Sequence, residues 1–141
     1  MPDGVDPGGV SSAPTTDTPP ESHRCRWTAA GLLTAVGGFQ VALAAGLPWG
    51  RASWGGAHAG VLPTNLRVAS GASALVYAGL AVAVAGPASR PRSRVLAGAA
   101  ALTGASTLTN LASRSSLERA IWTPTAAVLT GLLWNESRRA A

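Results

Sequence analysis

No lysine occurs in the 141 residues, and only 12% of the chain is charged, about half the share of an ordinary water-soluble domain. Too little charge remains to cover a water-facing surface on a chain of this size. The single cysteine, Cys25, excludes an intramolecular disulfide. His23-Arg24-Cys25-Arg26 offers one imidazole and one thiol where a structural zinc site needs four ligands, so no metal site is expected and Cys25 is read as a free thiol. The chain has no phosphate-cradling glycine loop, no G-x-S-x-G and no H-E-x-x-H, and no cofactor is expected. Acidic residues number six, and none lies inside a long apolar stretch, which argues against a proton relay or a cation-coupled carrier.

What is present is alanine, valine, leucine and glycine in long blocks. Residues 27–47 and 68–88 each run 21 residues without a charge; at about 1.5 Å rise per residue each matches a bilayer core of about 30 Å. Residues 95–112 give a third block of 18, and 120–134 a fourth of 15. Thr64 or Asn65 is a candidate cap for the second helix, and Ser93 is an acceptable start for the third. Ser115 and Glu118 form an S-x-x-E capping box that extends the fourth helix toward its N-terminus, with Pro124 inside it. The rival start, with Thr123 as cap and Pro124 at the first helical position, leaves that helix too short to span easily. The reading is all-α: a membrane-embedded four-helix bundle with helices at about 27–47, 65–87, 94–112 and 116–137. Residues 1–24, rich in Pro, Gly, Ser, Thr and Asp, are expected to form a disordered tail, and 25–141 the helical domain. Ala42-Leu43-Ala44 resembles a signal-peptidase site, but the span of the first block better fits a retained helix.

The eleven arginines give a net charge of +5 and a pI near 11.4, a balance shared with nucleic-acid-binding domains. They sit singly or in small groups between apolar blocks, which is how membrane proteins set their orientation, so no nucleic-acid partner is expected. With the N-terminus inside, Arg24, Arg26, Arg90, Arg92, Arg94, Arg138 and Arg139 are cytoplasmic, against Arg51, Arg67, Arg114 and Arg119 outside. Seven against four favours both termini in the cytoplasm of a multi-pass cell-membrane protein. The five tryptophans all fall at block ends or in outer loops, as an interfacial belt requires. Ala97, Ala101, Ala105 and Thr109 form a small-residue stripe, as do Ser70, Ala74 and Ala78. Gln40, Ser73, Thr103, Ser106, Thr107 and Asn110 are expected to hydrogen-bond between helices, with a polar transport path as the rival role.

The outer loop, Pro48 to Arg67, combines glycines, two tryptophans and basic groups in a way a simple connector does not need. Trp49, Arg51, Trp54, His58 and Arg67 from this loop, with Asn110, Glu118, Arg119 and Trp122 from the connection across the same face, form the candidate outer-face binding or structural cluster. Arg51 or Arg67 is the expected partner of Glu118, the only acid placed on that side. The runs Pro48-Trp-Gly-Arg-Ala-Ser-Trp-Gly-Gly with Val61-Leu-Pro-Thr-Asn-Leu-Arg67, and Asn110-Leu-Ala-Ser-Arg-Ser-Ser-Leu-Glu-Arg119 with Trp122 and Pro124, resemble a family of small, uncharacterised bacterial integral membrane proteins with four helices. The likeness covers about residues 27 to 134; it implies a plasma-membrane bundle and no reaction. The expected function is a non-enzymatic subunit or binding module whose distinctive surface is extracytoplasmic. Its partners would be the lipid bilayer and a second copy or another membrane protein. The alternatives are a small oligomeric transporter or channel, and an enzyme at the outer interface with Glu118 and His58 as acid and base.

Overall fold

The computed structural model describes residues 20–141, and the expected tail lies outside them up to residue 19. Four helices occur in this region: α1 Pro20–Ala45, α2 Thr64–Ala85, α3 Arg90–Leu111 and α4 Ser116–Arg139, with no strand among the described residues.

Each boundary has a local cause. Helix α1 begins before the first apolar block, so residues 20–24 are helical and not tail. It ends two residues before Leu47 because Gly46 adopts φ +97°. The Leu47 and Gly46 amides then bond the Ala42 and Leu43 carbonyls at 3.0 and 3.1 Å, the paired bonds of a Schellman stop. Neither Thr64 nor Asn65 caps α2: Pro63 occupies the cap position without a side-chain bond, and Thr64 is already helical. Helix α3 starts earlier than Ser93, with Ser89 accepting from the Arg92 amide at 3.4 Å and Pro91 in the first turn. Helix α4 takes the long alternative: Ser115 caps it, Pro124 lies within it, and the short start at Thr123 does not form. The Ser115 side chain accepts from the Glu118 amide at 3.2 Å.

Helices α1 and α2 form one antiparallel hairpin and α3 and α4 a second; α1 and α4 make the closer seam between them, while α2 and α3 barely touch. Gly37 lets α1 approach α2, since a Cβ there would sit 3.4 Å from that of Tyr77. The expected stripe on α3 does not work this way. Ala101, Ala105 and Thr109 are exposed, and α3 instead buries Leu96, Ala99 and Ala100. On α2, Ser70 and Ala74 are buried as expected but Ala78 is not.

The two ends of the bundle differ in chemistry. At the end holding both chain termini, Leu33, Val84, Leu96 and Leu133, one from each helix, are fully buried against one another's cluster. Around this plug, arginines close the C-terminus of α2. Arg26 donates to the Ala85 and Gly86 carbonyls, and Arg92 to those of Ala83 and Val84 at 2.7 and 3.0 Å. Arg92 also pairs with Glu136 at 3.1 Å, both side chains being buried, and Ser93 donates to the Ser137 carbonyl at 2.7 Å. Arg90 and Arg92 in the first turn of α3, with Arg94 just beyond it, oppose its dipole. Arg92 offsets that cost with carbonyls and a carboxylate that need a cation.

Two helices, over His23–Ala45 and Thr64–Ala85, are long and apolar enough to cross a membrane by length and composition; α3 and α4, expected as spans, fall short of that measure.

Candidate functional site

The loop end of the bundle is hollow. A cavity of about 320 Å³ lies among the four helices, floored by Val36, Ala126 and Leu129 and roofed by Ser53 and Trp54 of the α1–α2 loop. Its wall is polar and aromatic: Phe39 and Gln40 from α1, Ser73 and Tyr77 from α2, Thr103, Ser106, Thr109 and Asn110 from α3, Glu118, Trp122 and Thr125 from α4. Helical spacing explains the wall. Thr103, Ser106 and Asn110 recur at three and four, as do Glu118, Trp122 and Thr125, so each set lies on one helix face.

The roof is clamped to α4 through Glu118. Two short 3₁₀ turns, Gly50–Ala52 and Trp54–Gly56, fold the loop back on itself, and the Gly50 amide donates to the Gly60 carbonyl at 3.0 Å. Trp54, Gly55 and Gly56 all have positive φ, at 53°, 78° and 70°. For tryptophan this is an unfavourable backbone region, held here by what surrounds it. The turn aims the Gly55 amide at Glu118 Oε1, 3.0 Å away, while Ser113 Oγ donates to Oε2 at 2.5 Å. Ser115 Oγ donates to the Arg51 carbonyl at 3.0 Å, Trp122 Nε1 to the Ala52 carbonyl, and Trp54 Nε1 to Ser70 Oγ at 3.1 Å. Gly56 passes so close to α4 that a Cβ would lie 2.4 Å from that of Ser115. The two sequence runs therefore meet at one place.

Several expectations about the cluster need correction. Glu118, 6% exposed, does not return to the cap residue's own amide, which instead donates to Ser113 Oγ at 3.2 Å. Nor does it pair with Arg51 or Arg67, and among the described residues it has no ion-pair partner. Arg67 reaches the other way and donates to the Ala44 carbonyl at 3.0 Å, which satisfies the end of α1. Arg51 is exposed, and its contribution is its carbonyl. Arg119 donates to the Ser113 carbonyl at 2.9 Å. Trp49 stacks on Phe39 at 5.9 Å, and Phe39 meets Trp122 at 4.8 Å. His58 packs its backbone and Cβ near Gly50 and does not line the cavity, so the Glu118–His58 acid–base pair is not assembled. Of the expected cluster, Trp54, Asn110, Glu118 and Trp122 face the cavity; Trp49, Arg51, Arg67 and Arg119 hold its surroundings.

The hydroxyls expected to bond between helices mostly bond within their own. Ser73, Thr103, Ser106 and Thr107 donate to carbonyls one turn back at 2.9 to 3.0 Å, and Thr125, outside that expected set, does the same at 2.7 Å. Thr130 to Thr103, at 3.0 Å, crosses between α3 and α4. The serine and threonine hydroxyls on the wall thereby present mainly lone pairs, while the Tyr77 hydroxyl and the side-chain amides of Gln40 and Asn110 keep donors for the cavity. Gln40 Oε1 is buried and has no donor. Phe39, Tyr77 and Thr125 were not singled out from sequence. The repeat of polar residues along one face of each helix was the available signal.

Comparison with family models, curated proteins and solved structures finds no match.

Proposed function

We propose that this chain is a membrane-embedded binding module: four spans, both termini cytoplasmic, and a ligand pocket beneath an extracytoplasmic lid made by the α1–α2 loop. The resemblance to small four-helix bacterial membrane proteins belongs to the same proposal. Embedding is supported by what the helices expose. Leu75 and Val82 of α2 are 76% and 72% exposed, and Leu102 and Leu108 of α3 are 72% and 69% exposed. Only 11% of the apolar window of α2 is buried, whereas the core helix of a soluble protein would be mostly covered. The arginine-rich terminal end fits the cytoplasmic face.

The observation that carries the binding role is the cavity itself: walled by polar and aromatic side chains, roofed by a clamped loop and closed below by the leucine and valine plug. Its volume falls in the range of small-molecule pockets. The plug leaves no path through a single chain, which favours a binding module over a pore formed within one bundle.

Cysteine labelling in membranes of a Cys25→Ser background tests this reading. Ser106→Cys on the cavity wall should react with a small water-soluble maleimide added from outside, while Leu75→Cys, facing lipid, should stay unlabelled. A periplasm-dependent reporter fused after Ala141 should be silent. Rapid labelling at both positions, or an active reporter, would overturn the arrangement.

A further inference from the structure

We propose that the cavity takes a small organic cation, a protonated primary amine with a compact apolar or aromatic tail. This deepens the binding reading and rests on it. Glu118 is a buried carboxylate on the cavity wall with two neutral donors and no cationic partner. Neither arginine expected to neutralise it does so: Arg67 is engaged on the Ala44 carbonyl, and Arg51 is exposed and has no ion pair among the described residues. A buried carboxylate left without a cation is costly, and a charged ligand would relieve that cost.

The serine and threonine hydroxyls of the wall select in the same direction, while Tyr77, Gln40 and Asn110 can also donate, to a polar group on the ligand's tail. Ser73, Thr103, Ser106 and Thr125 have each committed their proton to a carbonyl of their own helix, so toward the cavity they can only accept. Gln40 adds a buried Oε1 acceptor that no donor among the described residues satisfies, beside the N–H donors of the same amide. An ammonium group brings three donors and no acceptor. Phe39, Trp54, Tyr77 and Trp122 supply aromatic surface for the cation and its tail. A bare metal ion would leave most of the 320 Å³ unfilled.

An amine has a side route as well as a lid. A second cavity of about 390 Å³ lies in the loose seam between α2 and α3, bounded by Val76, Leu80, Val95 and Leu102. Tyr77, Thr103 and Ser106 line both cavities, so an amphipathic molecule held in the bilayer could pass from the apolar seam to the polar pocket.

The test uses the full-length protein in mild detergent, with tryptophan fluorescence as readout because Trp54 and Trp122 line the pocket. Three probes of matched shape are titrated at neutral pH: phenethylamine, phenethyl alcohol and 3-phenylpropanoate. Phenethylamine should give a saturable change, the alcohol should bind roughly tenfold more weakly, and the anion should give none. Glu118→Gln should lower the amine's affinity by more than the alcohol's, so that the roughly tenfold gap between the two closes. Equal affinity for amine and alcohol, or tighter binding of the anion, would overturn the cation assignment and leave the pocket reading standing. Absence of binding by all three would overturn both. The series on the unmodified protein decides the matter even where Glu118→Gln does not fold.

Discussion

The strongest structural prediction concerns the end of the bundle away from the pocket. Arg92 and Glu136 meet at 3.1 Å with side-chain exposures of 9% and 5%. Arg139 lies 3.8 Å from the same carboxylate, but its side chain is 40% exposed, so it should contribute no more than about 1 kcal/mol. Removing one member of a buried pair costs about 3 to 5 kcal/mol because the other charge is left uncompensated. The two single variants should differ within that range. Glu136→Gln leaves Arg92 bonded to the Ala83 and Val84 carbonyls, so its cost should fall near 3 kcal/mol. Arg92→Gln strands a buried carboxylate and also uncaps the C-terminus of α2, so it should lie near about 5 kcal/mol. Reversible unfolding in mixed micelles, followed by the fluorescence of Trp134, would measure both. The double variant should be much less unstable than the sum, with a coupling of about 2 kcal/mol or more. Single effects under about 1 kcal/mol, or costs that add within about 0.5 kcal/mol, would refute the view that this pair fixes α3 to α4 and holds Arg92 on the α2 carbonyls.

Gly56→Ala should detach the lid from α4, since its Cβ would meet that of Ser115 at 2.4 Å and φ is +70°. A lower melting temperature with red-shifted tryptophan emission is expected, and unchanged emission would count against the clamp. Glu118→Gln and Arg67→Gln should each destabilise, with costs that add within about 0.5 kcal/mol, because the two side chains bond to different partners. Coupling well above that in a double-mutant cycle would mean that they meet after all. The mature protein should retain α1, because Leu33 and Leu43 are fully buried and Ala44 accepts from Arg67. Mass spectrometry of membrane-extracted protein that finds a new N-terminus at Ala45 would contradict this.

Helix number and most boundaries were legible because each rests on a local signal. The apolar blocks and the Ser115 cap ahead of the last act through backbone geometry within a turn or two, as does the Gly46 stop inside the first block, which the expected helix end at 47 passed over. Facing was harder. Helix α3 carries alanine at positions 97, 99, 100, 101 and 105, so a search for small residues four apart finds a stripe on more than one face. The inward face is fixed instead by Leu96, Ala99, Ala100 and Thr103, one position away. The partners of the charges were the least legible. An arginine side chain can reach partners on neighbouring elements, and opposite charge alone pointed Arg67 at Glu118. The unsatisfied carbonyl of Ala44 at the end of α1 was the nearer need. Glu136 was passed over because it lies beside two arginines at the chain's end, where a solvated charge is the ordinary expectation.

The low hydropathy of α3 and α4 and the proposed embedding of all four helices can be reconciled face by face. A composition measure averages around the helix, while a bilayer meets only the outward side. On α3 the outward side carries Leu102, Leu108 and Leu111, and on α4 it carries Leu117, Ile121 and Val128, all well exposed. Of the residues that lower the average, Thr103, Asn110, Glu118 and Thr125 line the cavity, and most of the charged ones stand at the helix ends. Ser106 and Thr109 stand at its border, and both hydroxyls donate to carbonyls of their own helix, so neither presents an unsatisfied donor to lipid. The same inward polar residues thus lower the hydropathy of α3 and α4, together with the charges at their ends, and make the pocket. A bundle with four uniformly apolar helices would have passed the composition measure, but it would have had nothing to hold a ligand with.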